Sequence, residues 1–284
     1  MTPLRGGSSL AAGRRHSVGL RADGTLLAAG NGTAGECDVA AWRDVVSVAA
    51  GSVHTFSNTG RSHTVGLIRG GEVEATGWNG NGQCDVAEWT EVVGIAAGWR
   101  RTVGWRNDGH VLAVGRTDEG ACAVESWREV VSVSCGDWHS VGLRADGTAV
   151  ATGVNRRGQS AVGAWVGLTG IAAGYMHTVG VTREGRVLAA GDPSAAAGVG
   201  EWRDVVSVAT GSYHTVGLTS AGQVLATGEN RDGQCAVSGW TRIVAVAAGS
   251  RHTVGLRADG TVVAAGCNDD GRCEVDSWDR LRTT

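Results

Sequence analysis

Residues 247–284 read AAGSRHTVGLRADGTVVAAGCNDDGRCEVDSWDRLRTT, and the parts of this stretch decide the fold. HTVGLR and TVVAAG are short and rich in β-branched residues, and Asp259-Gly260 between them supplies the positive φ that a hairpin turn requires. A Val/Ala run precedes the unit's Gly, seen best as Asp44-Val-Val-Ser-Val-Ala-Ala-Gly51; such a continuous apolar run suits a strand buried on both faces. After the hairpin comes a loop of the form Gly-x-Asn-x-x-Gly-Gln, fullest at Gly228-Glu-Asn-Arg-Asp-Gly-Gln234. A short Cys-x-Val segment, expected as a fourth strand, then leads to a Trp.

The Trp recurs at 42, 89, 127, 165, 202, 240 and 278, with spacings of 47, 38, 38, 37, 38 and 38. Self-similarity at a fixed period marks a repeat architecture. The units fall at 11–48, 49–95, 96–133, 134–171, 172–208, 209–246 and 247–284. Seven units of four short strands predict a single all-β domain over 1–284, a seven-bladed β-propeller with a 38-residue repeat, since radial repetition protects sheet edges. The last unit stops and the first begins within the same strand, so the two termini are expected to meet at one blade seam. A helical solenoid fits poorly, because Gly interrupts every unit several times.

HTVGLRADGTVVAAG together with Gly-x-Asn-x-x-Gly-Gln resembles the regulator of chromosome condensation repeat, over about the whole chain. The resemblance implies a seven-bladed propeller. The units are shorter than the eukaryotic pattern and carry Gln-Cys where Gln-Leu-Gly is usual. In this they resemble compact bacterial members of the family, those that inhibit β-lactamases, which implies a loop face that grips a protein.

Composition narrows the function classes. The net charge is −3 and all 25 cationic side chains are Arg. Without Lys, Schiff-base chemistry and a Walker-type phosphate loop are excluded. The near-neutral balance gives no global pull toward nucleic acid or membrane. Neither a signal-peptide core nor a membrane-length apolar run is present, and a cytoplasmic, bacterial protein is expected. The seven Cys read as free thiols. Five of them, at 37, 84, 122, 235 and 273, share one repeat position and so spread round the ring; no metal and no cofactor is expected. The repeat histidines 16, 63, 139, 177, 214 and 252 read as structural groups between blades, and the remaining unit carries Arg101 there.

Strand alternation puts the Gly-x-x-His loops and the Gly-x-Asn-x-x-Gly loops on one face. Of 14 aromatic residues, seven are the repeat Trp and Trp105 replaces a strand Leu. The other six, Phe56, Trp78, Trp99, Trp138, Tyr175 and Tyr213, all lie in these loops. Arg14, Arg15, Arg61, Arg100, Arg101 and Arg251 accompany them. Aromatic and Arg enrichment on one rigid face is the composition of a binding hot spot. The expected function is therefore non-enzymatic binding of a partner protein or peptide. The alternative is an enzyme or small-molecule binder at the mouth of the central channel, with His54, Arg101 and Asp137 as its proton-transfer group, anion clamp and orienting carboxylate. Nucleic acid is the weakest partner class. The first interval of 47 locates an insertion at 52–60, between Gly51 and His63, which is expected to project over the binding face and to free His54 from the repeat's structural role.

Overall fold

The computed structural model describes residues 7–52, 54 and 60–283. Seven antiparallel sheets of three strands follow one another along the chain. Blade I holds Leu10–Ala12, His16–Leu20 and Leu26–Gly30; blade II, Val45–Ala50, His63–Ile68 and Val73–Gly77; blade III, Val92–Gly98, Arg101–Arg106 and Val111–Gly115. Blade IV holds Val130–Cys135, His139–Arg144 and Ala149–Gly153; blade V, Leu168–Ala173, His177–Thr182 and Val187–Gly191. Blade VI holds Val205–Thr210, His214–Thr219 and Val224–Gly228; blade VII, Ile243–Ala248, His252–Arg257 and Val262–Gly266. The first strands touch in succession, and that of blade VII touches that of blade I, so they form a closed inner ring.

The expected fourth strand is a correction. The Cys-x-Val segment is turn and irregular chain, because its amides bond locally. Val39 N–H donates to the Cys37 carbonyl and Trp42 N–H to the Val39 carbonyl, at 2.9 and 3.1 Å, and the later units repeat the pattern at Val124 and Val275. An amide satisfied this way has no hydrogen bond to offer a ladder. The Val itself still enters the core.

Each core cluster lies between two blades. Leu20 and Leu26 of blade I pack with Trp42, Val45 and Val48 beside blade II, and Val103 and Val111 of blade III with Trp127, Val130 and Val133 beside blade IV. The strand glycine of HTVGL makes room for the Trp: a Cβ at Gly66 would lie 2.7 Å from the Trp42 ring, and one at Gly19 would lie 2.8 Å from Trp278. Burying one such Trp removes about 150–250 Å² from water, an upper bound of about 4–6 kcal/mol.

A girdle of hydrogen bonds runs beneath the loops. His16 Nε2 meets Thr64 Oγ1 at 2.9 Å, His63 meets Thr102 at 2.9 Å, His139 meets Thr178 at 2.7 Å and His252 meets Ser17 at 2.9 Å. Each hydroxyl gives its single proton to a backbone carbonyl, Thr64 to Glu36 and Ser17 to Arg272. The histidine must therefore donate from Nε2, and the rings are neutral. Arg101 takes the same place in blade III and donates from Nε to Ser140 Oγ at 3.0 Å. The girdle needs a donor at this position, which Arg supplies as well as His.

The two ends of the described chain complete blade I. Leu10, Ala11 and Ala12 pair with Gly19, Val18 and Ser17, while Leu281 bridges to Arg21. Arg282 N–H donates to the Leu20 carbonyl at 2.9 Å. The innermost strand of that blade is thus assembled from both ends.

Candidate protein-binding face

The loops joining first to second strands, and those leaving third strands, emerge on one face. There His54 reaches from blade II past blade III to blade IV. Its Nδ1 lies 2.8 Å from Asp137 Oδ2 of blade IV, and its backbone N–H donates to the same oxygen. The ring stacks on Tyr175 of blade V at 4.7 Å, lies edge-on to Trp99 at 5.4 Å and leans on Trp138 at 5.5 Å. From the other side, Arg14 donates to the His54 carbonyl at 3.0 Å. His54 and Asp137 are 8% and 2% exposed. The described part of the insertion, Ser52, His54 and Gly60, is therefore drawn in over the channel mouth. Val53 and 55–59, Phe56 among them, lie outside the described residues.

The other aromatic residues join this centre in an arc. Trp99 meets Trp138 edge to face at 4.3 Å, and Tyr175 meets Tyr213 at 5.3 Å. The Arg100 guanidinium lies 4.8 Å from the Trp78 ring and 4.5 Å from Trp99; Arg116 lies 5.0 Å from Trp99 and 5.9 Å from Trp138. Such aromatic pairs contribute about 0.5–1.5 kcal/mol beyond their area, and a cation over an exposed ring about 0.5–1 kcal/mol. The arc runs Trp78, Arg100, Trp99, Trp138, Tyr175, Tyr213 across blades II to VI. Trp99 is buried, whereas Trp78, Trp138, Tyr175 and Tyr213 keep part of their surface in solvent. Burial beside the Asp137 charge raises the Tyr175 phenol above its ordinary value.

Blades VII and I carry an ionic half. Arg15 donates to Asp270 from Nε at 2.9 Å and again from Nη2, and Arg272 joins the same carboxylate. Arg251 donates to Asp232 at 2.7 Å. These hydrogen bonds raise Arg15 and Arg251 above the ordinary guanidinium value and hold Asp270 below the ordinary carboxylate value. Arg100 occupies the same repeat position as Arg15 and Arg251, yet burial and the charge of Arg116 lower it.

Arg101 does not reach this surface. At 2% exposure it donates to the carbonyls of Gly136, Asp137 and His139, so its guanidinium is committed to the backbone of blade IV. Arg61 lines a depression beside Arg100. Arg116 and the Asp270 hub are not among the expected site residues; their signal is their place in the third-strand loops of the same face. Among the described residues no group of three His, Cys, Asp or Glu side chains could hold a metal. The repeat thiols donate to the carbonyl six residues back, as Cys122 does to Arg116 at 3.1 Å. No helix among the described residues is long and apolar enough to cross a membrane.

Four units match the family model described as the Regulator of chromosome condensation (RCC1) repeat, at residues 8–36, 130–159, 205–234 and 243–272. Solved structures share the fold. The CRINKLY ectodomain of the Arabidopsis thaliana receptor kinase ACR4 superposes with a TM-score of 0.74 at 18% identity, covering 96% of this chain and 99% of that one. The ectodomain of the Physcomitrella patens receptor kinase CR4 gives 0.71 at 19% identity, covering 91% and 73%. Prp20p from Saccharomyces cerevisiae, whose structure was described with its binding to Gsp1p and histones, gives 0.65 at 16% identity, covering 84% and 76%. No curated protein sequence matches the chain. Its architecture is that of a seven-bladed propeller, with matches to the RCC1 repeat model in blades I, IV, VI and VII.

Proposed function

We propose that this protein is a non-enzymatic binding module that engages a partner protein or peptide through the loop face, in the bacterial cytoplasm. The observation that carries the reading is the arc itself: partly exposed Trp138, Tyr175 and Tyr213 are held rigidly over a closed ring, flanked by Arg100 and Arg116. Rigid aromatic anchors lose little entropy on binding and dominate interface energetics. Prp20p binds Gsp1p and histones, and yeast RCC1 has been crystallised with Kap60, so protein binding also suits the repeat. The resemblance to compact bacterial inhibitors, which implies a loop face that grips a protein, supports a contact on the same loops.

The test is capture of partners from an extract of the source organism by immobilised protein, followed by titration of whichever partner is captured. Tyr175→Ala with Tyr213→Ala should weaken binding by about 30-fold or more, a loss of about 2 kcal/mol or more. Arg43→Ala and Arg128→Ala on the opposite face should leave it unchanged. Undiminished binding by the tyrosine variant, with melting unaltered, removes this reading.

One observation favours the second reading, a small-molecule or catalytic site at the channel mouth: the hydrogen-bonded pair His54 and Asp137. Without Arg101 the pair has no anion clamp from the expected trio. Turnover or small-molecule retention abolished by Asp137→Asn would establish this reading over the first.

A further inference from the structure

Arg15, Arg100 and Arg251 each stand just before a girdle residue. Two of them are satisfied alike: Arg15 forks onto Asp270, and Arg251 forks onto Asp232. Both aspartates hold the fifth position of the Gly-x-Asn-x-x-Gly loop in the preceding blade. For Arg100 the corresponding loop is 77–83, and its fifth residue is the exposed, neutral Asn81. Arg100 accordingly has no ion pair among the described residues, and its buried Nε has no acceptor. Its turn is also tighter than the others: Gly98 pairs directly with Arg101, and Arg100 sits at φ 61°.

The guanidinium borders a shallow depression between blades II and III, lined also by Ser52, Arg61, Ser62, Trp78 and Gln83. This lining has two guanidinium groups and no carboxylate. Gln83, 1% exposed, also contributes an amide N–H donor with no partner. Two cations and orphaned donors round a shallow depression make a site for an anion, and a planar guanidinium fork selects a planar carboxylate.

We propose that Arg100, half-buried beside this depression, takes the carboxylate of an acidic side chain supplied by a partner protein, forking onto it while Trp78 and Trp99 hold the guanidinium plane. In blades I and VII the chain provides that carboxylate itself, as Asp270 and Asp232; in blade III the place is left for another chain. The site rests on the reading of the face as a protein-binding surface, but its test needs no partner, so either can fail alone.

The folded full chain is titrated with N-acetylglutamate methylamide, with the glutamine counterpart and with inorganic phosphate, following the Arg100 Nε–Hε NMR resonance, which is identified by its loss in Arg100→Gln. The glutamate compound should give a saturable shift, the glutamine compound none, and phosphate should bind about tenfold more weakly. Asn81→Asp installs the carboxylate that the other blades carry and should weaken binding of the glutamate compound about tenfold. An equal response to the glutamine compound, tighter binding of phosphate, or full binding by the Asn81→Asp protein would overturn the proposal.

Discussion

His54 and Asp137 stand 83 residues apart in the chain and meet through two hydrogen bonds to one carboxylate oxygen, the ring nitrogen at 2.8 Å. The contact ties blade II to blade IV across the channel mouth and seats the imidazole among Trp99, Trp138 and Tyr175. Asp137→Ala leaves both donors without their acceptor, at a cost of about 1–3 kcal/mol. Urea unfolding should show that loss, and tryptophan fluorescence of the native state should change because two indoles border the ring. Unchanged stability and spectrum would mean that the pair bears no load.

Acid should unfold the propeller early. Burial holds His16, His139 and His214 down to about 3 and His63 and His177 down to about 4, with His252 also well below its ordinary value. In the unfolded chain each titrates near 6.5. Above that pH neither state binds the proton and stability is full. As the pH falls toward 4 the unfolded state gains protons that the native girdle refuses, so stability falls. Each ring removes about 1.4 kcal/mol per pH unit in this window, against a total stability of about 5–15 kcal/mol. Circular dichroism should follow a cooperative transition complete before pH 4; a melting temperature constant from pH 7 to pH 4 contradicts it.

The hairpins, the Trp period and the shared face of the loops were legible because each depends on local pattern: β-branched runs, Asp-Gly turns and strand alternation. The fourth strand misled because Cys-x-Val has strand composition while its amides are committed to their own turn. The fit of the HTVGL glycine against the Trp of the preceding unit was present in every unit, but residues in different blades carry no mark of their contact. For the site, the segregation of aromatics was readable and their connection was not. His54 was singled out by register alone; that it closes on Asp137, and that Arg101 turns away into backbone, are facts of ring geometry.

That glycine yields a sharp test of the packing. A Cβ on Gly142 would lie 2.8 Å from the Trp127 ring and 3.1 Å from Val150. Gly142→Ala should therefore destabilise by about 1–3 kcal/mol through overpacking. At Gly163 a Cβ meets nothing within 4 Å, and Gly163→Ala should be close to neutral. Equal melting temperatures for the two variants would show that the Trp contact is slack.

The repeat thiols should be slow. Burial pushes Cys37, Cys84, Cys122, Cys235 and Cys273 up to about 11. At pH 8 such a group is about 0.1% thiolate, where a free cysteine near 8.5 is about a quarter ionised. Reaction with Ellman's reagent should run about two orders of magnitude slower than with free cysteine, and quicken with rising pH. All seven thiols should react at once in denaturant. Rapid native labelling at pH 8 would show that these thiols are neither buried nor bonded to the carbonyl six residues back.

The seam in blade I can be opened from one end. Leu281 is 3% exposed and bridges to Arg21, while Arg282 donates through its backbone to Leu20 and through Nη2 to the Val46 carbonyl. Ending the chain at Arg280 exposes a core position worth about 1.5–3 kcal/mol and removes hydrogen bonds of about 1 kcal/mol each. With about 2–4 °C lost per kcal/mol in a chain of this size, the melting temperature should fall by about 10 °C or more. A chain ending at Arg282 retains both contacts and should melt like the full protein. If the shorter chain melts unchanged, the ring is held by the inner strands and the Trp seams alone, and the bridge from Leu281 to Arg21 is dispensable.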